Sequence, residues 1–167
     1  GRSVIIFPPT GGATPLESSY AKTFTNRGAH VIILRNWDKP KAKTIDLDLH
    51  QSLHERAMKA FRLAMESCPK ENKISLMGTS IGAIFSEVAA NKFERIERVF
   101  AIAGGIPISK IIAYSDYPTM KILREKRFKT FGFKNKEVYF KALSKKFPLF
   151  SENLKPLHKN KKLGMVV

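Results

Sequence analysis

Four short apolar runs constrain this chain more than any other feature: Val4-Ile5-Ile6-Phe7, Val31-Ile32-Ile33-Leu34, Ile74-Ser75-Leu76-Met77 and Val99-Phe100-Ala101-Ile102-Ala103. A strand that is apolar on successive residues must be covered on both faces, because alternate side chains point to opposite sides. Patterns of helical period separate the runs, with short punctuated turns, and strands alternating with helices predict a parallel sheet sandwiched between helices. The expected fold class is therefore α/β, a three-layer αβα sandwich with a mostly parallel sheet. After the first run, Pro8-Pro9 stops the strand, because proline cannot continue a central ladder. Thr14-Pro15-Leu16-Glu17 then reads as a helix start with a capping box and proline in the first turn. Leu16, Tyr20 and Phe24 form its expected buried stripe, and Gly28 a stop. Asp48 with Gln51 resembles a second capping box, opening a helix that carries Leu49, Leu53, Ala57, Ala60, Phe61, Ala64 and Met65 at helical spacing and ends at Pro69. A further helix is expected over residues 83–93.

After Pro107 the alternation is lost. Residues 106–158 are expected to form helices, over residues 119–131 and 136–147, that either pack beside the sheet or make a helical cap or insertion after the fourth strand. A fifth apolar strand begins at Leu163. The 167 residues fit one domain. No apolar run approaches the roughly 18–20 residues a membrane helix requires, and the amino end lacks the layout of a signal peptide. Cys68 is the only cysteine, so an internal disulfide and a thiolate cluster are excluded. A reducing cytoplasm fits best, and a periplasmic location fits as well. The 30 basic and 14 acidic residues leave a net charge of +16, with +11 of it from Lys110 onward. Such an excess attracts nucleic acid, anionic membranes or acidic substrates. The lysines fall at irregular intervals beside no recognition motif, so they read as solvated helix surface, with no specific nucleic acid partner.

Gly78-Thr79-Ser80-Ile81-Gly82 matches G-x-S-x-G, with a strand before it and a helix after it. That context suits a sharp strand-to-helix turn that projects a nucleophile into the crevice at the strand ends. Glycines Gly78 and Gly82 suit flanks where a Cβ would clash with neighbouring backbone. The helix amino end brings unpaired N–H groups and a positive dipole beside the serine oxygen. Acyl transfer also needs two donors for the developing oxyanion. The Ile81 amide is one, and the other is expected from Pro9-Thr10-Gly11-Gly12, at Thr10 or Gly11.

Together these features resemble the α/β-hydrolase superfamily of serine esterases and lipases, over about residues 3–105 and the closing strand. The resemblance implies that the first strand here is the family's third, that Ser80 follows its fifth, and that the last strand is its seventh. It implies an acid after that late strand and a histidine near the carboxyl end. The chain stops before either, so an incomplete domain is expected. Pro8-Pro9 and Arg35-Asn36-Trp37 are also similar to polyester synthases of the same superfamily, which carry cysteine at the elbow where this chain has Ser80.

Serine needs a base to take its proton, and none of the four histidines fits that place. His30 starts a strand at the wrong edge of the sheet. His50 and His54 share a helix face but lack the intervening glutamate of a metalloprotease, so they read as solvent-facing or capping residues. His158 precedes the last strand. Asp116 is the in-chain acid candidate, about a dozen residues after the fourth strand. Cys68 reads as a structural thiol. The expected function is hydrolysis of a small-molecule ester or related acyl bond through a Ser80 acyl-enzyme, with no metal or organic cofactor. The rivals are an inactive hydrolase-fold binding module, an acyltransferase, and a basic nucleic-acid or membrane-surface binder.

Overall fold

In a computed structural model, residues 1–35, 45–105, 107–147 and 162–166 are described. Five strands, β1 (Arg2–Phe7), β2 (His30–Ile33), β3 (Lys73–Thr79), β4 (Ile96–Ile102) and β5 (Lys162–Val166), form one sheet in the order β2-β1-β3-β4-β5. Every pairing is parallel. The register places Phe7 opposite Gly78 and Thr79 opposite Ile102, so the ends of β1, β3 and β4 lie level along one edge of the sheet. His30, at the first residue of β2, lies at the other edge.

Helix α1 (Pro15–Thr25) covers one face of the sheet, with Tyr20, Ala21 and Phe24 packed on Val4, Ile6 and Met77. Helices α2 (Leu47–Ser67) and α3 (Ile81–Lys92) cover the other, where Ala57, Met58, Phe61, Phe85 and Val88 join Ile5, Phe7, Leu76 and Val99. Strands β1 and β3 are neighbours whose following helices leave to opposite faces, which makes the gap between their carboxyl ends the topological switch point where open α/β sheets bind ligands. Between β4 and β5 come α4 (Ile108–Tyr114), α5 (Pro118–Phe131) and α6 (Lys136–Lys146). Ile108 and Ile112 of α4 and Tyr139 and Leu143 of α6 enter the same core as α2 and α3.

Thr14 caps α1 as its sequence predicts, with its hydroxyl accepting from the Leu16 amide and Glu17 reaching back to the Thr14 amide. Leu16, expected in the buried stripe, is instead 45% exposed, because only Tyr20 and Phe24 fall over the sheet. The cap of α2 also differs from expectation. Asp46, not Asp48, accepts from the Asp48 and Leu49 amides, and Gln51 bonds to Glu55 one turn on. Val31, Ile32 and Ile33 are half-buried rather than enclosed, since among the described residues β2 is an edge strand paired with β1 alone.

His50 and His54, expected at the surface, are buried. They pack on each other and on Phe147, and His54 also packs on Phe85. Helix α5 supplies the reason. Its Arg127, fully buried, donates to the Ile45 carbonyl at 3.1 Å and the Tyr139 hydroxyl at 2.9 Å, and lies 2.8 Å from His50 Nδ1. A buried guanidinium needs acceptors, and the neutral imidazole is one of them.

Candidate active site

The elbow is built by close backbone contact. Ser80, between β3 and α3, has φ 56° and ψ −121°, a conformation L-residues rarely hold, and it is exposed to solvent. Its amide donates to the Ile102 carbonyl of β4 at 2.8 Å, which fixes the turn against the next strand. A Cβ on Gly78 would lie 2.1 Å from the Gly82 carbonyl oxygen, and one on Gly82 would lie 2.2 Å from that of Phe7. Glycine at both positions is therefore a steric requirement of the bend. Strain of this kind costs on the order of 1–3 kcal/mol and persists where the surroundings over-determine it.

The contact at Gly82 has a second effect. It sets the first turn of α3 against the Phe7 and Pro8 carbonyls, and so brings the segment leaving β1 beside the amino end of α3. That segment turns at once: the Gly12 amide donates to the Pro9 carbonyl at 3.0 Å, and Gly11 and Gly12 take φ of 101° and 94°. Thr10 and Gly11 are exposed at this turn. Ile81 and Gly82 open α3, where helix geometry supplies no acceptor for their amides, whereas the Ala83 amide donates to the Ser80 carbonyl at 3.0 Å. The turn with Thr10 and Gly11 and the bend with Ser80 and Ile81 thus follow neighbouring strands, β1 and β3, at the carboxyl edge of the sheet.

Other expected residues lie elsewhere. Asp116, in the link from α4 to α5, has its side chain 85% exposed and pairs with Arg124 at 3.6 Å and Lys136 at 3.9 Å. Cys68 is buried at the end of α2, its thiol directed at the Ala64 carbonyl. His158, Asn36 and Trp37 fall outside the described residues. No group of three metal-ligating side chains occurs among the described residues. None of their helices is long and apolar enough to cross a membrane.

Two features escaped the sequence. Ala103, just past β4, also has a positive φ, 51°, although no motif marks it. Glu17 has no solvent exposure. Burial pushes its carboxyl up, but hydrogen bonds from the Thr14 hydroxyl and amide, and the nearby Thr79 hydroxyl, outweigh burial and hold it below the ordinary carboxylate range. The capping box was legible, whereas its burial depends on how α1 sits on the sheet.

No protein-family model matches the chain, and no curated protein matches it. Solved structures do. Acetyl xylan esterase 1 from a Thermoanaerobacterium species aligns with a TM-score of 0.60 at 17% identity, over 99% of this chain and 58% of that one. A hyperthermophilic esterase from the archaeon Pyrobaculum calidifontis aligns with a TM-score of 0.57 at 18% identity, over 98% of this chain and 55% of that one. The NocB thioesterase domain from the nocardicin cluster, in covalent complex with a fluorophosphonate nocardicin G analogue, gives 0.54 at 12% identity, over 100% and 73%. The chain spans less than two thirds of either esterase. At these identities the likeness is one of fold, and the fold is that of the α/β hydrolases.

Proposed function

We propose that this chain carries the nucleophile and the oxyanion site of a serine hydrolase that cleaves an ester or related acyl bond. The observation that carries the reading is Ser80 itself, held at φ 56° on a bend that only glycine flanks permit, yet open to solvent at the switch point. A surface serine with no task has no need of strained backbone. In this reading Ser80 Oγ attacks the acyl carbon while a base takes its proton. The carbonyl oxygen becomes an oxyanion held by the Ile81 amide and by that of Thr10 or Gly11. Collapse expels the alcohol and leaves an acyl-enzyme, which an activated water then hydrolyses. Both oxyanion donors are main-chain groups fixed before substrate arrives, so they cost no reorganisation as charge develops.

None of the described histidines is assigned as the base. His50 and His54 are enclosed beside Arg127, and His30 lies at the far edge of the sheet. Asp116 is left to the ion pairs it makes with Arg124 and Lys136. The fold shared with two esterases and a thioesterase supports the acyl chemistry.

The test is covalent labelling of the complete gene product with a fluorophosphonate, read by peptide mass. Label is expected on Ser80, and Ser80→Ala is expected to lose it together with at least about 1,000-fold in kcat on a p-nitrophenyl ester. Absent label would favour an inactive binding module. Label with transfer of the acyl group to an added alcohol rather than to water would make the protein an acyltransferase.

A further inference from the structure

We propose that Ala103 is a specificity-determining residue, its exposed methyl forming the wall beside Ser80 that limits the size of the acyl group. The proposal rests on the Ser80 reading above. Among the described residues, Ser80 and Ala103 are the non-glycines with positive φ, 56° and 51°. They are neighbours in space as well as in kind. Thr79 pairs with Ile102 at the end of the β3–β4 ladder, so Ser80 and Ala103 are the next residue on each strand. The Ser80 amide donates at 2.8 Å to the Ile102 carbonyl, which belongs to the peptide that leads into Ala103. Both residues are exposed at the carboxyl edge of the sheet.

Turn formation alone does not account for alanine here. Glycine takes a positive φ freely, whereas a Cβ makes it costly. Gly104 and Gly105 follow at once, yet neither lies in the left-handed region. Gly104 answers a different need, because a Cβ there would lie 2.6 Å from that of Ala83. The turn thus carries alanine at its strained position and glycine at unstrained ones. Core packing does not require the methyl, since Ala103 is exposed. Strain of this kind gathers at active sites and ligand clamps.

The sheet order decides which part of a substrate meets Ala103. Strand β3 lies between β1 and β4, so the Thr10–Gly11 turn and Ala103 stand on opposite sides of Ser80. An oxyanion held from the β1 side turns the other substituents of the acyl carbon away from that side. The leaving alcohol takes a proton and departs, so it needs polar surroundings and a way out. The acyl group stays on Ser80 through both steps, and a methyl offers it contact without a hydrogen-bonding group. An apolar wall sorts such groups by bulk, by about 10- to 200-fold per methylene.

The experiment measures kcat/KM for p-nitrophenyl acetate and butyrate on the complete gene product, as wild type, Ala103→Gly and Ala103→Asn. Asparagine adds bulk in a side chain that tolerates positive φ, and glycine removes the methyl without strain. The readout is the butyrate-to-acetate ratio, because a general disturbance of the elbow lowers both esters together and cancels. Ala103→Asn is expected to lower that ratio about 10-fold, and Ala103→Gly to raise it about three-fold. A parallel pair, the acetates of phenol and 2-naphthol, varies the alcohol instead, and its ratio is expected to stay within about two-fold of wild type. Should either variant fail to fold, the other carries the test. Wild-type ratios in the acyl pair would make Ala103 a structural turn residue and overturn the proposal. A change as large or larger in the alcohol pair would overturn it too, by placing the leaving group at Ala103. Failure of the Ser80 reading looks different: wild type takes up no fluorophosphonate, Ser80→Ala keeps its activity, and this proposal falls with it. Normal labelling of Ser80 with unchanged ratios loses only the proposal about Ala103.

Discussion

A Cβ added at Gly82 would come within 2.2 Å of the Phe7 carbonyl oxygen and 2.7 Å of that of Pro8, both of them backbone atoms that no rotamer change can move aside. The same holds at Gly78, where the obstacle is the Gly82 carbonyl at 2.1 Å. Relief would require α3 to retreat from β1, which opens the core where Phe7 packs on Phe85 and Phe61. Gly82→Ala is therefore expected to lower stability by about 3 kcal/mol or more, the upper end for overpacking, because the clash is with main chain on both sides. Urea unfolding followed by circular dichroism checks this. A change below about 1 kcal/mol would mean that the elbow yields, and that the tight approach of β1 to α3 is not what sets the position of Ser80. The variant should also lose reactivity in whatever fraction stays folded, since the loop bearing Thr10 and Gly11 moves with the end of β1.

Helices α2, α5 and α6 meet at a polar knot that no single helix reveals. Arg127 on α5 reaches His50 on α2 and Tyr139 on α6, with His54 and Phe147 packed alongside. Burial, together with the neighbouring Arg127 charge, lowers His54 from 6.5 to about 3, and burial with His54 and Arg127 lowers His50 well below its ordinary value. Both imidazoles are thus neutral when folded and protonate readily when unfolded. Where the folded pKa is depressed, the unfolded chain binds the extra proton, so the stabilisation is complete above about pH 6.5 and is lost as pH falls toward 3. His54 alone accounts for up to about 5 kcal/mol across that window. Glu17, also lowered, adds to the loss below about pH 4.5, whereas Glu87, which burial raises, acts in the opposite sense. Against a total stability of about 5–15 kcal/mol, acid unfolding is expected well above pH 3. Replacement of His54 by Phe, a ring suited to its contacts with Phe85 and Phe147, should move the acid midpoint down by about one pH unit or more. An unchanged midpoint would show that the histidines titrate normally in the folded protein.

At the scale of the whole molecule, the sheet was legible and its order was not. Doubly apolar runs announce buried parallel strands, and Gly78-Thr79-Ser80-Ile81-Gly82 announces the bend, because both are local consequences of sterics and burial. The placement of β1 between β2 and β3, which creates the switch point beside Ser80, depends on contacts far apart in sequence. For the same reason His50 and His54 read as surface residues: what buries them is Arg127, 77 residues beyond His50. Charge is the remaining property that belongs to the whole chain. Thirty basic side chains against 14 acidic ones leave a net of +16. Self-repulsion at that charge destabilises the compact state and is screened beyond about 10 Å at 0.1 M salt. Raising sodium chloride from about 0.02 to 0.3 M should therefore raise the unfolding temperature by a few degrees. A fall would mean that attractive pairs such as Lys73–Glu97 and Asp116–Arg124 outweigh the repulsion. The same titration separates two roles for the basic surface. Association with a polyanion such as single-stranded DNA should collapse over this range, since each phosphate contact contributes about −0.7 to the logarithmic salt slope. If the positive surface serves to attract substrate, kcat/KM for an anionic ester should fall with added salt while that for a neutral ester stays level. Equal salt dependence for the two esters would remove any role of the surface in choosing what Ser80 attacks.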